Sequence, residues 1–394
     1  MLKTTPFHAR TAPLCSSQAW RRWAGYLAAS SYELSHEREY HAIRSSAALL
    51  DISPLYKYRV QGRGAARMLD RMVTRKVSAA PVGQVLSTPW CDAAGRVLDD
   101  GTIARLDEHT FRLTSADPGL RWLEGNARGL DVSIEDVSER LAALALQGPA
   151  SRAILQRISD ADLGGLKYFR VTPARLRGID VTVSRTGYTG DLGFEVWVAA
   201  ERAIELWDAL IEAGAAYGIT PTGLAALDLA RIEAGLMLMD VDYVPARRAL
   251  IASQASSPFE LDLAWTVNLG KEHFVGREAL AREAARGPDW RFVGIEVDWT
   301  ALERLYAEAG LPPALPAAWR ARIPLYSGGR QVGYATSGGW SPLLKRYIAL
   351  AHVQSRMAAP DTRLEMEVTV EHRRRRATAR VVRKPFFDPE RKRA

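Results

Sequence analysis

Gly187, Gly190 and Gly193 fall within seven residues, between the alternating runs Val181-Thr-Val-Ser184 and Phe194-Glu-Val-Trp-Val198. No other stretch limits the fold as strongly. Period-two alternation predicts two strands, and the glycines predict a hairpin loop that needs positive φ angles or close backbone approach. On the second strand Phe194, Val196 and Val198 share one face, and Glu195 and Trp197 share the other. A carboxylate beside an indole, next to such a loop, fits the floor of a polar-aromatic pocket. It suits a planar heterocycle with adjacent N–H donors, such as a pterin, because a carboxylate accepts two parallel hydrogen bonds while a ring stacks nearby. The same pattern also fits a plain hairpin with Glu195 on a solvated face, and spacing alone leaves both open.

A chain of 394 residues has room for two or three domains, and 47% hydrophobic content allows a sizeable core. No apolar run is long enough to cross a bilayer, and the N-terminal MLKTTPFHARTAPLC lacks an apolar signal core. Cys15 and Cys91 are too few for a disulfide framework, so the cytoplasm is the expected location. Seven scattered histidines without Cys-x-x-Cys or His-x-x-x-His predict no metal site. No Gly-x-Gly-x-x-Gly run opens a helix after a strand, so no nicotinamide or flavin requirement is expected. The net charge of +8 is concentrated near the end, at Arg373–Arg376, Arg380, Arg383-Lys384 and Arg391-Lys-Arg393. That excess fits either a nucleic-acid patch or a solvated edge strand and tail. The missing interleaved aromatics favour the edge strand, and nucleic acid is not the expected partner.

Along the chain, Trp20, Trp23, Ala24 and Leu27 stand at helical spacing, so residues 16–48 read as mixed helix, with a short helix from Glu37 to Arg44. A strand is predicted at Tyr56–Val60 and a helix at Gly64–Val73. Three short strands follow between 84 and 115, with turns at Asp92–Gly95 and Leu106–His109. Helices are predicted at Pro118–Gly129, Ala150–Ile158, Ala200–Tyr217 and Gly223–Ala234, and a buried strand at Leu141–Gln147. Residues 255–283 read as a connector. Short strands then run at Val293–Val297, Arg322–Tyr326, Gln331–Thr336, Ile348–Val353, Arg363–Val370 and Ala377–Val382. They predict a small barrel or jelly roll, with a loop marked by Pro312, Pro313 and Pro316. This order predicts an α+β protein of several layers.

The hairpin SRTGYTGDLGFEVWV closely resembles that of the glycine-cleavage T-protein (aminomethyltransferase) family. Similar segments follow in family order: EYHAIRSSAALLDIS (39–53), DAAGRVLDDGTIARL (92–106), LALQGPAS (144–151), GLAALDLARIEAGL (223–236), FVGREAL (274–280), GYATSGGWSPLL (333–344) and RKPFF (383–387). The resemblance implies a three-domain cloverleaf of antiparallel sheets with flanking helices around a central folate channel, closed by the C-terminal barrel. The division it implies is residues 1–50 plus 140–255, residues 51–139, a connector at 256–290, and a barrel at 291–394. It implies tetrahydrofolate as co-substrate, with Glu195 on the pterin and Tyr188 and Trp197 shaping the pocket. Arg231 is either structural or a carboxylate holder. It implies Asp99 as the functional acid. Asp99 and Asp100 are adjacent on a strand and point to opposite faces. The expectation is that Asp99 faces the channel and Asp100 caps a turn at Gly101.

The chain departs from the family pattern at several places. Leu227 stands where the family has an arginine, Ser87 replaces a tyrosine, and Asp51-Ile52-Ser53-Pro54 replaces Asp-Val-Ser-His. Thr114–Pro118 replaces an asparagine-containing strand, and no tyrosine follows Phe387. These changes predict a different one-carbon donor: a small O-, N- or S-methyl compound, with Trp90, Tyr56, Tyr58 and Trp122 either lining its pocket or packing in the core. The alternatives are an aminomethyltransferase acting on a lipoyl carrier protein, and a non-catalytic folate-binding accessory protein. The accessory relatives carry a cysteine in the hairpin, and this hairpin has none.

Overall fold

The computed structural model describes residues 2–312 and 317–394. The predicted loop residues Pro313 and Pro316 lie outside them. The chain runs α1 (His8–Leu14), β1 (Trp20–Trp23), β2 (Tyr26–Ala29), α2 (Glu37–Ser45), β3 (Ala47–Asp51), β4 (Tyr56–Gln61), α3 (Ala65–Met72), β5 (Val85–Cys91), β6 (Val97–Arg105), β7 (Thr110–Ser115), α4 (Leu120–Ala127) and β8 (Ser133–Asp136). It continues with β9 (Leu141–Gln147), α5 (Ser151–Ile158), β10 (Val171–Leu176), β11 (Ile179–Ser184), β12 (Gly193–Ala199), α6 (Ala203–Gly214), β13 (Ile219–Pro221), α7 (Leu224–Glu233) and α8 (Arg277–Arg286). The last part is β14 (Trp290–Val297), α9 (Trp299–Ala307), β15 (Trp319–Ser327), β16 (Arg330–Ser341), β17 (Arg346–Gln354), β18 (Arg363–Val370) and β19 (Arg373–Val382).

These strands form a six-stranded sheet, β10-β11-β12-β9-β3-β13, a five-stranded sheet, β5-β6-β7-β4-β8, and a closed barrel, β14-β17-β16-β15-β18-β19. The fold is α+β, as the element order predicts. Alternation decides which face of each sheet does what. In the six-stranded sheet Leu144, Leu146, Val183, Phe194, Val196 and Val198 pack under α5 and α6 in one apolar cluster. Each such buried side chain contributes on the order of 1.5–3 kcal/mol. The opposite face carries Glu195 and Trp197, with Ala145 and Leu50 in register with Glu195 across β9 and β3. In the five-stranded sheet Tyr58, Leu86, Trp90, Ile103, Phe111 and Leu113 pack under α3 and α4. Its other face turns toward the six-stranded sheet.

Buried polar hubs fasten the three units together. Glu233, at the end of α7, accepts from Arg44 Nε (2.9 Å) and Nη2 (2.6 Å), from the Tyr40 hydroxyl and from the Ser341 hydroxyl of the barrel. Arg44 also donates to the carbonyls of Thr189 (2.9 Å) and Ala230 (3.1 Å), so one guanidinium ties α2, the glycine loop and α7. A buried cation this fully bonded is costly to unpair.

Three local expectations are corrected. The helical spacing of Trp20, Trp23 and Leu27 is coincidental: positive φ at Ala24 and Gly25 folds the stretch into the β1–β2 hairpin. The arginine run is not on an edge strand, because β19 closes the barrel between β18 and β14. Its side chains are still exposed, pairing with Glu367, Glu308 and Glu365. Helix α9, capped by Asp298 accepting from the Thr300 and Ala301 amides, interrupts what reads as an all-β segment.

Candidate functional site

The glycine loop is built around one side chain. The Gln147 amide lies where a Cβ on Gly187 or on Gly193 would fall, 2.0 and 2.3 Å from Gln147 Oε1. It donates to the carbonyls of Thr186 and Phe194 (3.3 Å each) and accepts from the Thr189 hydroxyl (2.8 Å). Gly190 has φ of +73°, and a Cβ there would sit 2.4 Å from the Ala234 Cβ. The loop thus has no room for side chains at these positions and is held from beneath.

Glu195 rises from β12 opposite Ser184. The Thr186 hydroxyl donates to its Oε2 (2.8 Å) and is itself bonded to the Ser184 hydroxyl (2.8 Å), toward which Trp197 Nε1 points (3.4 Å). Burial raises the Glu195 pKa, opposed by the Thr186 bond and by the positive charge of Arg112. Arg112 comes from β7 of the other sheet. It is 6% exposed, and its guanidinium lies over the Trp197 ring at 4.0 Å. This stack spans the space between the two sheets. Burial lowers the Arg112 pKa to about 10, against the pull of Glu195.

Strand register assigns the two aspartates to opposite faces, and it reverses the expectation. Asp99 is opposite Trp90, on the face that carries Leu86, Ile103 and the helix-covered core. Asp99 is 1% exposed, and its two oxygens accept from the backbone amides of Asp100 (2.8 Å) and Asp117 (3.1 Å). Burial, reinforced by the neighbouring Asp100 charge, pushes its pKa well above the usual carboxylate range. Asp100 shares the other face with Thr102 and Ala104, and Ala104 is opposite Arg112. Asp100 therefore lies on the face of β6 opposite to Asp99, toward Tyr243. Its Oδ1 accepts from the Tyr243 hydroxyl (2.6 Å), and burial raises its pKa. Gly101 lies inside β6, so Asp100 caps no turn. Along β6 the four steps from Asp100 to Ala104 span about 13 Å.

Tyr188 reaches from the glycine loop to donate to the Met237 carbonyl. Burial raises its pKa, and the charges acting on it include Arg231, Asp100 and Asp242. Arg231, expected either as a structural residue or as a carboxylate holder, is 1% exposed and committed to ion pairs with Asp228 (2.9 Å) and Asp242. Asp228 also pairs with Arg320 (2.6 Å), while Asp242 accepts from Thr336 and Ser337 (2.7 Å for the latter). Arg231 thus fastens α7 to the barrel, with only Nη2 left without a partner among the described residues. Leu227 packs with Trp197, Leu50, Ile52 and Trp23 in one apolar cluster. Beside it lies a cavity of ≈ 20 Å³, lined by Trp20, Trp23, Tyr32, Asp51 and Leu227 among others. Of the two expectations for the aromatics the structure shows core packing: Trp90 and Tyr58 are buried beneath α3 and α4, with Tyr56 and Trp122 packed partly buried against them.

Glu195 and Trp197 share one face of the six-stranded sheet, Tyr188 reaches from the glycine loop to Met237, and Asp99 and Asp100 lie on opposite faces of β6. Arg112 and Tyr243 went unread in the sequence. Arg112 had a usable signal, a lone cation in the apolar run Phe111-Arg-Leu113; Tyr243, in an irregular segment, had none. A family profile described as "GCVT N-terminal domain" matches residues 5–271, and "Glycine cleavage T-protein C-terminal barrel domain" matches residues 310–388. An aminomethyltransferase of Streptomyces avermitilis is 37% identical over 360 residues, covering 89% of each chain. One of Bacillus pumilus is 32% identical over 394 residues, covering 98% of this chain and 99% of its own. The crystal structure of glycine cleavage system aminomethyltransferase T from Bartonella henselae superimposes with a TM-score of 0.83 at 25% identity, covering 98% of this chain and 99% of its own. With these matches spanning nearly its whole length, the chain belongs to the glycine-cleavage T-protein family of tetrahydrofolate-dependent transferases.

Proposed function

We propose that this protein moves a one-carbon unit from a small methylated donor to tetrahydrofolate. Glu195 holds the pterin and Asp100 is the acid beside the accepting nitrogen. The observation that supports the reading is the contact of Arg112 from one sheet with Trp197, the neighbour of Glu195, on the other, with Asp100 on the face of β6 opposite to Asp99. The donor set fits a reduced pterin. Thr186 occupies Glu195 Oε2, and the remaining carboxylate lone pairs can take adjacent ring N–H groups. Tetrahydrofolate supplies the amine nitrogen that receives the carbon. Asp100, raised in pKa and bonded to Tyr243, is placed to accept or return the proton at that nitrogen and to stabilise positive charge there. Tyr188 and Trp197 narrow the site and keep water from it.

The methyl-donor part of the reading rests on Leu227 and its neighbours. An apolar side chain beside Trp23 and Trp20 offers nothing to an anionic or carrier-bound donor and suits a small methylated compound. The second reading, aminomethyl transfer from a lipoyl carrier protein, is favoured by relatives named aminomethyltransferase that match over the full length. Incubating the protein with tetrahydrofolate and either a panel of methylated donors or an aminomethyl-loaded carrier separates the two, because the folate products are methyl and methylene forms of different mass. No folate product from either source ends both readings.

A further inference from the structure

Arg112 carries a charge into a space where the protein gives it nothing to bond. It is 94% buried by its 6% exposure, yet no described residue accepts a hydrogen bond or closes an ion pair with it. Its neighbour Lys57, which is fully buried, adds like charge and donates to the Ser53 carbonyl (2.5 Å). The one carboxylate that acts on Arg112 is Glu195, which is held by Thr186 and does not close to a salt bridge. A mostly buried guanidinium whose N–H donors meet no protein acceptor is open to water or to a ligand that supplies one. Its guanidinium carbon lies over the Trp197 ring at 4.0 Å, a contact that does not occupy its N–H donors.

The nature of the missing acceptor follows from what surrounds it. A small anion would have to sit beside the Glu195 carboxylate and be repelled by it. A neutral heterocycle with two N–H donors and an adjacent carbonyl satisfies both groups at once: the donors meet Glu195 and the carbonyl meets Arg112. Resting on the pterin role of Glu195, we infer that Arg112 is a specificity-determining residue that receives the ring carbonyl next to the donors taken by Glu195. The pair then selects an amino-oxo pyrimidine edge over a diamino one.

The test is calorimetric binding of tetrahydrofolate and of its analogue with an amino group in place of the ring carbonyl, on wild type and Arg112→Met. Loss of a hydrogen bond from a charged donor should weaken tetrahydrofolate about 10- to 100-fold. The amino analogue, which points a donor at Arg112 in the wild type, should be unchanged or bind better, so the preference ratio collapses. Arg112→Lys, which keeps the charge without the planar fork, should lower the ratio too and serves if the methionine variant does not fold. Equal weakening of both ligands would mean that Arg112 only packs against Trp197, and would overturn the inference. So would unchanged folate binding together with lost binding of a carboxylated donor. A wild-type protein that binds tetrahydrofolate not at all would instead sink the Glu195 reading beneath it.

Discussion

Asparagine at position 100 and, separately, at position 99 distinguishes a catalytic carboxylate from a structural one. Asp100→Asn keeps an oxygen to accept from the Tyr243 hydroxyl, now at 2.6 Å from the carboxylate, and removes only the charge and the proton-accepting site. Proton transfer by a positioned side chain is worth roughly 10²–10⁴-fold. Asp100→Asn should therefore slow the transfer step by that factor with little change in melting. Asp99→Asn should behave the other way. Both Asp99 oxygens accept backbone N–H groups, from Asp100 and Asp117, so an amide nitrogen at either position opposes a donor with a donor. One bond is lost and one buried amide is left unpaired, which costs about 1–3 kcal/mol. Removing a carboxylate that burial already disfavours offsets part of this. The expected result is a melting temperature lower by a few degrees and a transfer rate close to wild type. The assay is single-turnover formation of the folate product at saturating folate, beside a thermal melt of each variant. If Asp99→Asn loses the transfer step while Asp100→Asn keeps it, the assignment from register is wrong.

Glu195→Ala removes the proposed acceptor of two ring N–H groups and should weaken tetrahydrofolate at least 100-fold, from roughly 1.5–3 kcal/mol per charge-assisted bond; wild-type affinity by calorimetry would refute the pterin role. Gly190→Ala places a Cβ 2.4 Å from Ala234 at φ of +73°, and should destabilise the fold by about 2–5 kcal/mol in denaturant titrations. Burial lowers the Lys57 pKa from 10.5 to about 8, so between these values the folded chain binds fewer protons than the unfolded chain, and stability rises with pH. The rise is at most ~3 kcal/mol. Lys271 is displaced in the same sense, also to about 8, so Lys57→Met should keep about half of the combined alkaline rise in denaturation midpoint.

Legibility followed the length scale of the physics. The hairpin could be read because its signals are local: alternation gave β11 and β12, and Glu195 and Trp197 fell on one face by parity alone. Strands of the barrel were placed within a few residues for the same reason, Arg363–Val370 among them. The aspartate pair shows where this stops. Parity says that Asp99 and Asp100 point opposite ways, but only the pairing of β6 with β5 and β7 says which face meets the other sheet. Arg231 stays open between two roles in the sequence for a related reason. Asp228 stands one turn before it on α7 and pairs with it locally, while Asp242 meets it only once the segment after α7 folds back. The β1–β2 hairpin was missed because three apolar residues can satisfy helical spacing by chance, and positive φ at Ala24 is not announced by its side chain.

The two ends of the proposed site differ in how they are built, and this bears on which end can change. The end around Glu195 depends on backbone: Gln147 fills the space under Gly187 and Gly193, Gly190 abuts Ala234, and Arg44 bonds the Thr189 carbonyl. Altering the shape there requires several simultaneous substitutions, each of which alone clashes or strips a buried charge of its partners. The end around Leu227 is lined by side chains of α7, β3 and the β1–β2 hairpin, and the cavity there is lined by no residue of the glycine loop and not by Glu233. A substitution there changes the lining without disturbing the register that aims Glu195 and Asp100. The cavity beside Leu227 holds about one water as it stands, so any donor larger than that has to displace part of its lining. The β1–β2 hairpin, which supplies part of that lining, is a two-stranded unit outside both large sheets. A donor specificity set by Leu227 and this hairpin can therefore diverge while the folate end stays fixed by packing.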